Sequence, residues 1–450
     1  MLGLQKISNV IYLNIKHKNI IEKYHEIKER SLLSQSENEK SQICKLNTLL
    51  NYAYNNVPYY KRVFELCGVV NNGEIKLQKN SDIQAIPFLT KDIIRQEKEN
   101  IYSVEHQKRG SRKNTSGGST GEPVVFLQDR MYRINNSANF FLAQSWRGAD
   151  PYDSIVKIWG APRDTYEGKK PLIASIKDYF RSRIVLNNLM MSNSDMKRYI
   201  KILNKHKPKL IVAYAQSIYE IAKFAKANRI HVKKQNAIHT AAGPLYDFMR
   251  KEIGDVFQCE VFNHYGSREV GAIASECKAH DGLHIMMEHT LVEVLDESGR
   301  PCQPGEEGEI FVTTLNNYSM PIIRYKIGDI GIMQEYKKCS CGCTYPKLQE
   351  VTGRTTDLFK TINNSIVSGA YFIVVLFFRK GIKAYQVIQK RLDLIVVKIV
   401  KDGEVSKEDL LDIEEKIKIV MGQECNVVFE FVDSIPKTKT GKHLYTISEL

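Results

Sequence analysis

Between roughly residues 150 and 330, short apolar runs alternate with helical ones, and this alternation leaves the chain few architectures. Residues 154–159, 210–213 and 261–264 read as strands, and 217–228 and 245–256 as helices. Strands that alternate with helices predict an α/β sheet with helices packed on its faces. The chain has 450 residues, and single hydrophobic cores stop growing near roughly 250–300 residues, so two or more domains are expected. Ahead of the alternating region the chain reads as helices from 10 to about 65, with Leu46, Leu49, Leu50 and Ala53 at helical spacing before a break at Val57-Pro58. The polar, Pro/Gly-bearing segment 296–305 reads as a loop or hairpin leading into a strand at 308–314.

A different rhythm begins after Arg354. Residues 392–400 form a strand, Asp402-Gly403 is a turn signal, Ser406 and Asp409 open a capping box for a helix over 407–420, and 427–432 is a further strand. The expected fold is therefore α/β, with a large N-terminal domain over 1–355, including a helical lead-in over 1–95, and a small α+β domain over 356–450.

Several classes of protein are set aside. The longest wholly apolar stretch, 370–378, falls well short of the ~20 residues that a membrane span needs, and the N-terminus lacks the pattern of a signal peptide. A cytoplasmic protein with no membrane span is expected. Nine cysteines, with Cys339, Cys341 and Cys343 crowded together, suit reduced thiols or a metal better than a disulfide framework. The net charge of +14 comes from lysines scattered along the chain rather than from a block interleaved with aromatics. No nucleic-acid partner is expected, and the charge favours anionic substrates.

Residues 114–123 read Asn-Thr-Ser-Gly-Gly-Ser-Thr-Gly-Glu-Pro, four hydroxyl residues interleaved with three glycines. Glycines let a backbone turn its N–H groups inward and the hydroxyls add donors, so such a loop can wrap phosphate oxygens. It is not a Walker A loop, because Glu122 stands after Gly121 where that motif needs lysine. Taken alone, a Ser/Gly-rich stretch is more often a flexible surface turn.

Other motifs change that balance. The run from Thr115 to Pro123 resembles the phosphate loop of the adenylate-forming superfamily of acyl-CoA synthetases, adenylation domains and luciferases. That superfamily's further motifs follow in order: Tyr265-Gly-Ser-Arg-Glu269, Arg324-Tyr-Lys-Ile-Gly-Asp329, Gly353-Arg-Thr-Thr-Asp357 and Pro436-Lys-Thr-Lys-Thr-Gly-Lys442. Asn-Val-Pro-Tyr-Tyr at 56–60, Ile-Pro-Phe-Leu-Thr-Lys at 86–91 and Cys-x-Cys-Gly at 339–342 are similar to the phenylacetate-CoA ligase family, which includes relatives in capsular polysaccharide biosynthesis.

The resemblance implies a large adenylate-forming domain with a small, mobile C-terminal lid, and the substrates ATP and a carboxylic acid. It implies that Thr115, Ser116, Gly117, Gly118, Ser119, Thr120 and Gly121 hold phosphates, and that Tyr265 packs on the adenine. It also places Gly243, Gly266, Ser267 and Arg354 in the nucleotide site, and Asp329 accepts from the ribose hydroxyls. A carboxylate at Glu269 suits Mg²⁺, which takes one or two protein oxygens beside substrate phosphates. Arg324 would sit near the phosphates or brace the loop. Lys442 would swing in with the small domain to neutralise charge between carboxylate and α-phosphate, with Asp357 as the hinge. A lone tyrosine, glutamate or tail lysine otherwise has a bland reading as rim, surface or frayed end.

Cys277, His280, Cys339 and Cys341 offer the ligands of a closed tetrahedral Zn²⁺ site with a structural role, with His284 and Cys343 as rival ligands. The competing reading is a set of loop thiols. Two departures bear on the acceptor. Where many relatives have Gly-Ala-Glu-Pro, this chain has Ala241-Ala242-Gly243-Pro244, and the apolar segment 365–378, expected as a helix, lacks the glutamate common there. The expected activity is ATP-dependent formation of an acyl-adenylate followed by transfer of the acyl group to an acceptor, phenylacetate-CoA ligase-like, with CoA as one candidate acceptor. The alternatives are amide formation with an amino sugar in surface polysaccharide biosynthesis, and a silent nucleotide- or nucleic-acid-binding relative. A homodimer is a further expectation, and His264, Tyr214 and Trp159 are expected to border the acyl pocket.

Overall fold

A computed structural model describes residues 9–15, 17–115, 124–159, 183–188, 191–354, 358–363, 366–377, 379, 381–436 and 444–450. The N-terminal region is helical, as its spacing predicts. Helices α1 (Lys18–Arg30), α2 (Gln35–Asn56) and α3 (Pro58–Leu66) follow one another. Ser34 caps α2 by accepting from the Glu37 N–H, and the Glu37 side chain returns the bond. Leu46, Leu49, Leu50 and Ala53 form its buried stripe. Pro58 ends nothing by itself; it occupies the first turn of α3, where its missing N–H costs no hydrogen bond.

An antiparallel ribbon comes next, β1 (Arg112–Thr115) and β2 (Val125–Gln128), closing on the pair Thr115–Val125. Helix α4 (Arg130–Ser145) follows, capped by the Asp129 carboxylate. The alternating region then builds β3 (Ile155–Ile158), β4 (Arg183–Leu186), α5 (Asn193–His206), β5 (Leu210–Tyr214), α6 (Ala215–Ala227), β6 (Ala237–Ala241), α7 (Asp247–Phe257) and β7 (Glu260–Ser267). Strands β4, β3, β5, β6 and β7 are parallel neighbours in that order. The chain leaves β3 toward β4 on one side and β5 toward β6 on the other, so the β3/β5 boundary is a topological switch point, where open α/β sheets bind ligands.

The same sheet continues beyond β7 with antiparallel strands. These are β8 (Gly271–Glu276), β9 (Leu283–Ile285), β10 (Thr290–Leu295), β11 (Glu307–Thr314), β12 (Tyr325–Met333) and β13 (Lys347–Arg354). The spatial order from the parallel half outward is β7-β8-β9-β13-β12-β11-β10. Helices α6 and α7 bury one face of the parallel half through Ile218, Ile221, Ile253 and Phe257. On the other side, α1 and α4 pack through Tyr24, Ile27, Leu142 and Ala143.

The C-terminal residues form a second sheet. Strands β14 (Leu358–Lys360) and β15 (Ile366–Ser368) pair, then α8 (Gly369–Phe377), β16 (Ile382–Arg391), β17 (Leu394–Lys401), α9 (Lys407–Met421), β18 (Asn426–Phe431) and β19 (Thr446–Ser448) follow. The sheet order is β18-β17-β16-β19, and Ile395, Val397, Ile413 and Ile417 fill its core with Phe359 and Phe372. The single helix expected over 365–378 is divided. Ile366 and Val367 are β-branched and pair as a strand with β14, and the helix opens only at Gly369. The C-terminal residues meet α6 where the hydroxyl of Tyr445, just before β19, donates to Gln216 Oε1 at 2.6 Å. Among the described residues, no helix is long and apolar enough to cross a membrane.

Candidate active site

The root of the Gly/hydroxyl loop is tied to a distant motif. Asn114 donates to Gln128 Oε1 at 3.1 Å and to the Arg268 carbonyl at 3.4 Å. Gln128 donates to that same carbonyl at 2.8 Å and to the Glu269 carbonyl at 3.3 Å. The ribbon that carries the loop is thereby fixed against Tyr265-Gly-Ser-Arg-Glu269. Glu269 is 8% exposed, and burial, with the Glu269 charge as a second cause, raises the Tyr132 hydroxyl. A single carboxylate in that position suits Mg²⁺, which fills its remaining positions with phosphate and water oxygens.

From this point the site extends across the sheet. The Tyr265 hydroxyl donates to Asp329 Oδ2 at 2.8 Å, joining β7 to β12. Asp329 lies opposite Arg354 in the β12/β13 ladder. Gly266 lies so near β8 that a Cβ there would come within 2.5 Å of the Gly271 carbonyl, so only glycine permits this pairing. The turn after β6 persists despite its altered sequence: Ala242 takes φ +62°, a left-handed conformation costly for a residue with a Cβ, and Gly243 faces open space. Ser267 closes β7 and accepts from the Val270 N–H at 3.3 Å. Ser116, Gly117, Gly118, Ser119, Thr120, Gly121, Asp357 and Lys442 lie outside the described residues, as does the Arg354 side chain.

Arg324 requires a correction. It is 2% exposed, donates to both Glu293 carboxylate oxygens at 3.0 and 2.9 Å, and donates to the carbonyls of Gln84 and Ile86 at 3.0 and 2.6 Å. Its guanidinium is committed to Glu293 of β10 and to the carbonyls of the helical lead-in, so in this structure Arg324 braces those two elements and, among the described residues, contacts neither the loop at 115 nor Glu269.

At the C-terminal edge of the parallel strands lies a polar cluster that the motifs do not announce. Trp159 and Tyr214 meet edge to face at 4.5 Å across the β3/β5 switch point. Beside them, His239 on β6 and His264 on β7 have ring centroids 4.7 Å apart, and Phe140 of α4 packs on His264 at 4.9 Å. Arg147, just beyond α4, donates to His239 Nδ1, to the Ser275 hydroxyl and to the Asn263 carbonyl. The Ser275 hydroxyl meets His264 Nδ1 at 3.0 Å. All four side chains are buried. Burial lowers the Arg147 guanidinium to about 9 and the His264 imidazole to about 3, with the Arg147 charge adding to the latter. The same causes hold His239 well below its ordinary value. Single histidines inside apolar strands carry no motif; the available signal was the alternation that puts His239 and His264 on one face with Val212 and Phe262.

The cysteine cluster also differs from expectation. Cys277, His284, Cys339 and Cys341 bring their ligand atoms within 4.8 Å of one another. Cys277 and Cys339 sulfurs are 3.6 Å apart, and Cys341 Sγ lies 3.4 Å from His284 Nε2. His284 Nδ1 faces the Tyr345 carbonyl at 3.1 Å, an arrangement that reserves Nε2 for a metal. His280, expected as the fourth ligand, is elsewhere: it pairs with Glu276 and Glu260, each at 3.5 Å, and stacks on Phe262. Cys343 is not one of the four that converge; it packs in the core with Tyr345. Three sulfurs and an imidazole nitrogen at this spacing fit tetrahedral Zn²⁺.

Comparison with known proteins places this geometry. Residues 358–449 match the family model described as the CapK C-terminal domain. The chain is 27% identical over 412 residues to protein CapK of Staphylococcus aureus, covering 89% of this chain and 87% of that protein. It is 25% identical over 357 residues to the phenylacetate-coenzyme A ligase of Thermus thermophilus, with 77% of each covered. A crystal structure of 2-hydroxyisobutyryl-CoA ligase in the postadenylation state superposes with TM-score 0.73 at 18% identity, over 93% of this chain and 90% of that one. The same ligase in its thioesterification state gives 0.61. The chain is thus a homologue of proteins called CapK and phenylacetate-coenzyme A ligase, built on the fold of the adenylate-forming ligases.

Proposed function

We propose that the chain is an AMP-forming carboxylate ligase: a carboxylate oxygen attacks the α-phosphorus of ATP, the bond to the bridging oxygen breaks, and acyl-AMP and pyrophosphate result. One observation carries the reading. The ribbon that roots the Gly/hydroxyl loop is hydrogen-bonded to Arg268 and Glu269, and Tyr265 four residues earlier is hydrogen-bonded to Asp329, so three separated motifs form one contiguous surface. In this reading Thr115 to Gly121 hold the phosphates, Glu269 is the Mg²⁺ carboxylate, and Gly243, Tyr265, Gly266, Ser267, Asp329 and Arg354 seat the adenine and ribose. Lys442 supplies the positive charge opposite the developing negative charge of the transition state. Catalysis of this kind rests on positioning and charge stabilisation, with no side-chain nucleophile.

The chain divides functionally into a body over 1–355 and a lid over 356–450. In the second step an acceptor attacks the acyl carbon and releases AMP. CoA and an amine such as an amino sugar compete for this role, and the CapK-like C-terminal residues favour testing both. The cluster of Cys277, His284, Cys339 and Cys341 holds a structural Zn²⁺.

Pyrophosphate release from ATP with a panel of acids tests the reading. Lys442→Ala should lower release on the order of a hundredfold or more, as loss of a transition-state charge contact does, while circular dichroism and melting stay unchanged. An unchanged rate would overturn the assigned role, and no release with any acid would favour a silent nucleotide-binding relative. CoA and amino-sugar nucleotides added in turn identify the acceptor by product mass.

A further inference from the structure

The cluster around Arg147 is not accounted for by ATP. Arg147 is 4% exposed, and among the described residues its guanidinium is in no ion pair. The nearby Glu276 carboxylate is engaged by Arg250 at 2.8 and 3.0 Å and by the Asn263 N–H at 2.6 Å. A buried cation without an anionic partner is costly, and such groups are ordinarily paired.

The hydrogen-bond directions say what is missing. A guanidinium only donates, so His239 must accept from Arg147 through Nδ1, and the neutral imidazole then carries its proton on Nε2. Ser275 accepts from Arg147, which leaves its own hydroxyl proton free to go to His264 Nδ1 and puts the second imidazole in the same tautomer. His239 Nε2 and His264 Nε2 are both buried and have no hydrogen-bond partner among the described residues. Two N–H donors oriented by one guanidinium therefore point away from their supports, toward an acceptor that the described residues do not provide.

Their position identifies the acceptor's source. They lie on the central parallel strands, one residue before Tyr265 and beside the Trp159/Tyr214 pair at the switch point. An acid whose carboxylate meets the α-phosphate at the strand ends has its tail here. Lys157 on β3, near enough for its charge to act on His239, adds to the positive field.

We propose that His239 and His264, oriented by Arg147 and Ser275, bind a second anionic oxygen group on the tail of the acid, so that the enzyme selects dicarboxylic acids over acids with bare hydrocarbon or aryl tails. This rests on the carboxylate-activating reading and names its substrate class. His264 and His239 set specificity, and Arg147 and Ser275 are positioning residues.

The experiment measures pyrophosphate release by the full chain with acids matched in length: hexanoate, 6-hydroxyhexanoate and adipate, then pentanoate and glutarate, with phenylacetate as the aryl case. The dicarboxylates should exceed their methyl-ended counterparts in kcat/KM by at least about tenfold, and His264→Phe, which keeps the ring against Phe140, should abolish that ratio through the KM of the dicarboxylates. If His264→Phe does not fold, Ser275→Ala should narrow the same ratio. A preference for phenylacetate, a methyl-ended acid or the hydroxy acid, or a ratio unmoved by both variants, overturns the proposal while leaving acid activation standing. Should no acid support pyrophosphate release, activation itself fails. Thermal stabilisation by adipate alone, lost in His264→Phe, then still supports the anion site, and its absence removes it.

Discussion

Arg324 shows how far a motif can be trusted one residue at a time. Its backbone sits at φ +49°, uncommon for a residue with a Cβ, and four hydrogen bonds keep it there. Burial raises the carboxyl of its partner Glu293, and Arg324 opposes that shift. Arg324→Met leaves Glu293 buried without a counter-charge and should lower unfolding free energy by about 3–5 kcal/mol, measured by urea denaturation. Adding Glu293→Met should recover most of the loss, an outcome that a phosphate-binding role would not give. The motif Arg324-Tyr-Lys-Ile-Gly-Asp329 made both residues legible, but it could not say which acceptor the guanidinium would reach. Glu293 sits on β10 and Gln84 in the helical lead-in, and only the fold brings them together. Arg147, His239 and Ser275 were illegible for the same reason: each is unremarkable in sequence, and their meaning lies in mutual hydrogen bonds.

Elements were easier to read than partnerships. Strands β3, β5 and β7 and the helices over 217–228 and 245–256 follow from apolar runs and helical spacing, because a sheet covered on both faces needs little else. The capping box at Ser406 likewise opens α9 where expected, with the Ser406 hydroxyl accepting from the Asp409 N–H at 3.0 Å. The cysteine cluster was only half legible. Local spacing offered His280, three residues after Cys277, yet that side chain turns to Glu276, whose hydrogen bond is the main cause raising the imidazole. His284 is brought in instead by the β8/β9 and β9/β13 ladders, which place it opposite Ser275 and Lys347. A Zn²⁺ ion there would clip β8 and β9 to the loop before β13. Purified protein should contain about one equivalent of zinc by atomic emission, Cys339→Ser and His284→Ala should lose it, and His280→Ala should keep it. Retention in His284→Ala with loss in His280→Ala would reverse the assignment.

At the scale of the whole molecule, buried histidines set the response to acid. Burial is the leading cause that lowers His239 well below its ordinary 6.5, His264 to about 3 and His289 to about 4. Above 6.5 the folded and unfolded chains hold these groups in the same neutral form, and stability owes nothing to pH through them. Below it the unfolded chain gains protons that the folded one refuses, so each histidine lowers stability by about 1.4 kcal/mol per pH unit until its folded value is reached. His280, raised by Glu276, acts in the opposite sense and favours the folded chain as pH falls. Urea midpoints should therefore be level from pH 8 to 7 and decline from about 6.5 toward 4, with a shallower decline in His264→Phe. A flat profile across that window would contradict the neutral, buried assignment.

Strand β7 is where the parallel and antiparallel halves of the great sheet join, and successive residues of a strand face opposite ways. His264 and Tyr265 are thus back to back, separated by one peptide unit, one turned toward Ser275 and the other toward Asp329. With Tyr265 seating the nucleotide and His264 the acid's tail, as proposed, choice of fuel and choice of cargo would sit on adjacent positions of one strand. An insertion or deletion ahead of it would exchange the two outlooks at once, so descendants of this chain can retune either preference by substitution but can never slide one without the other.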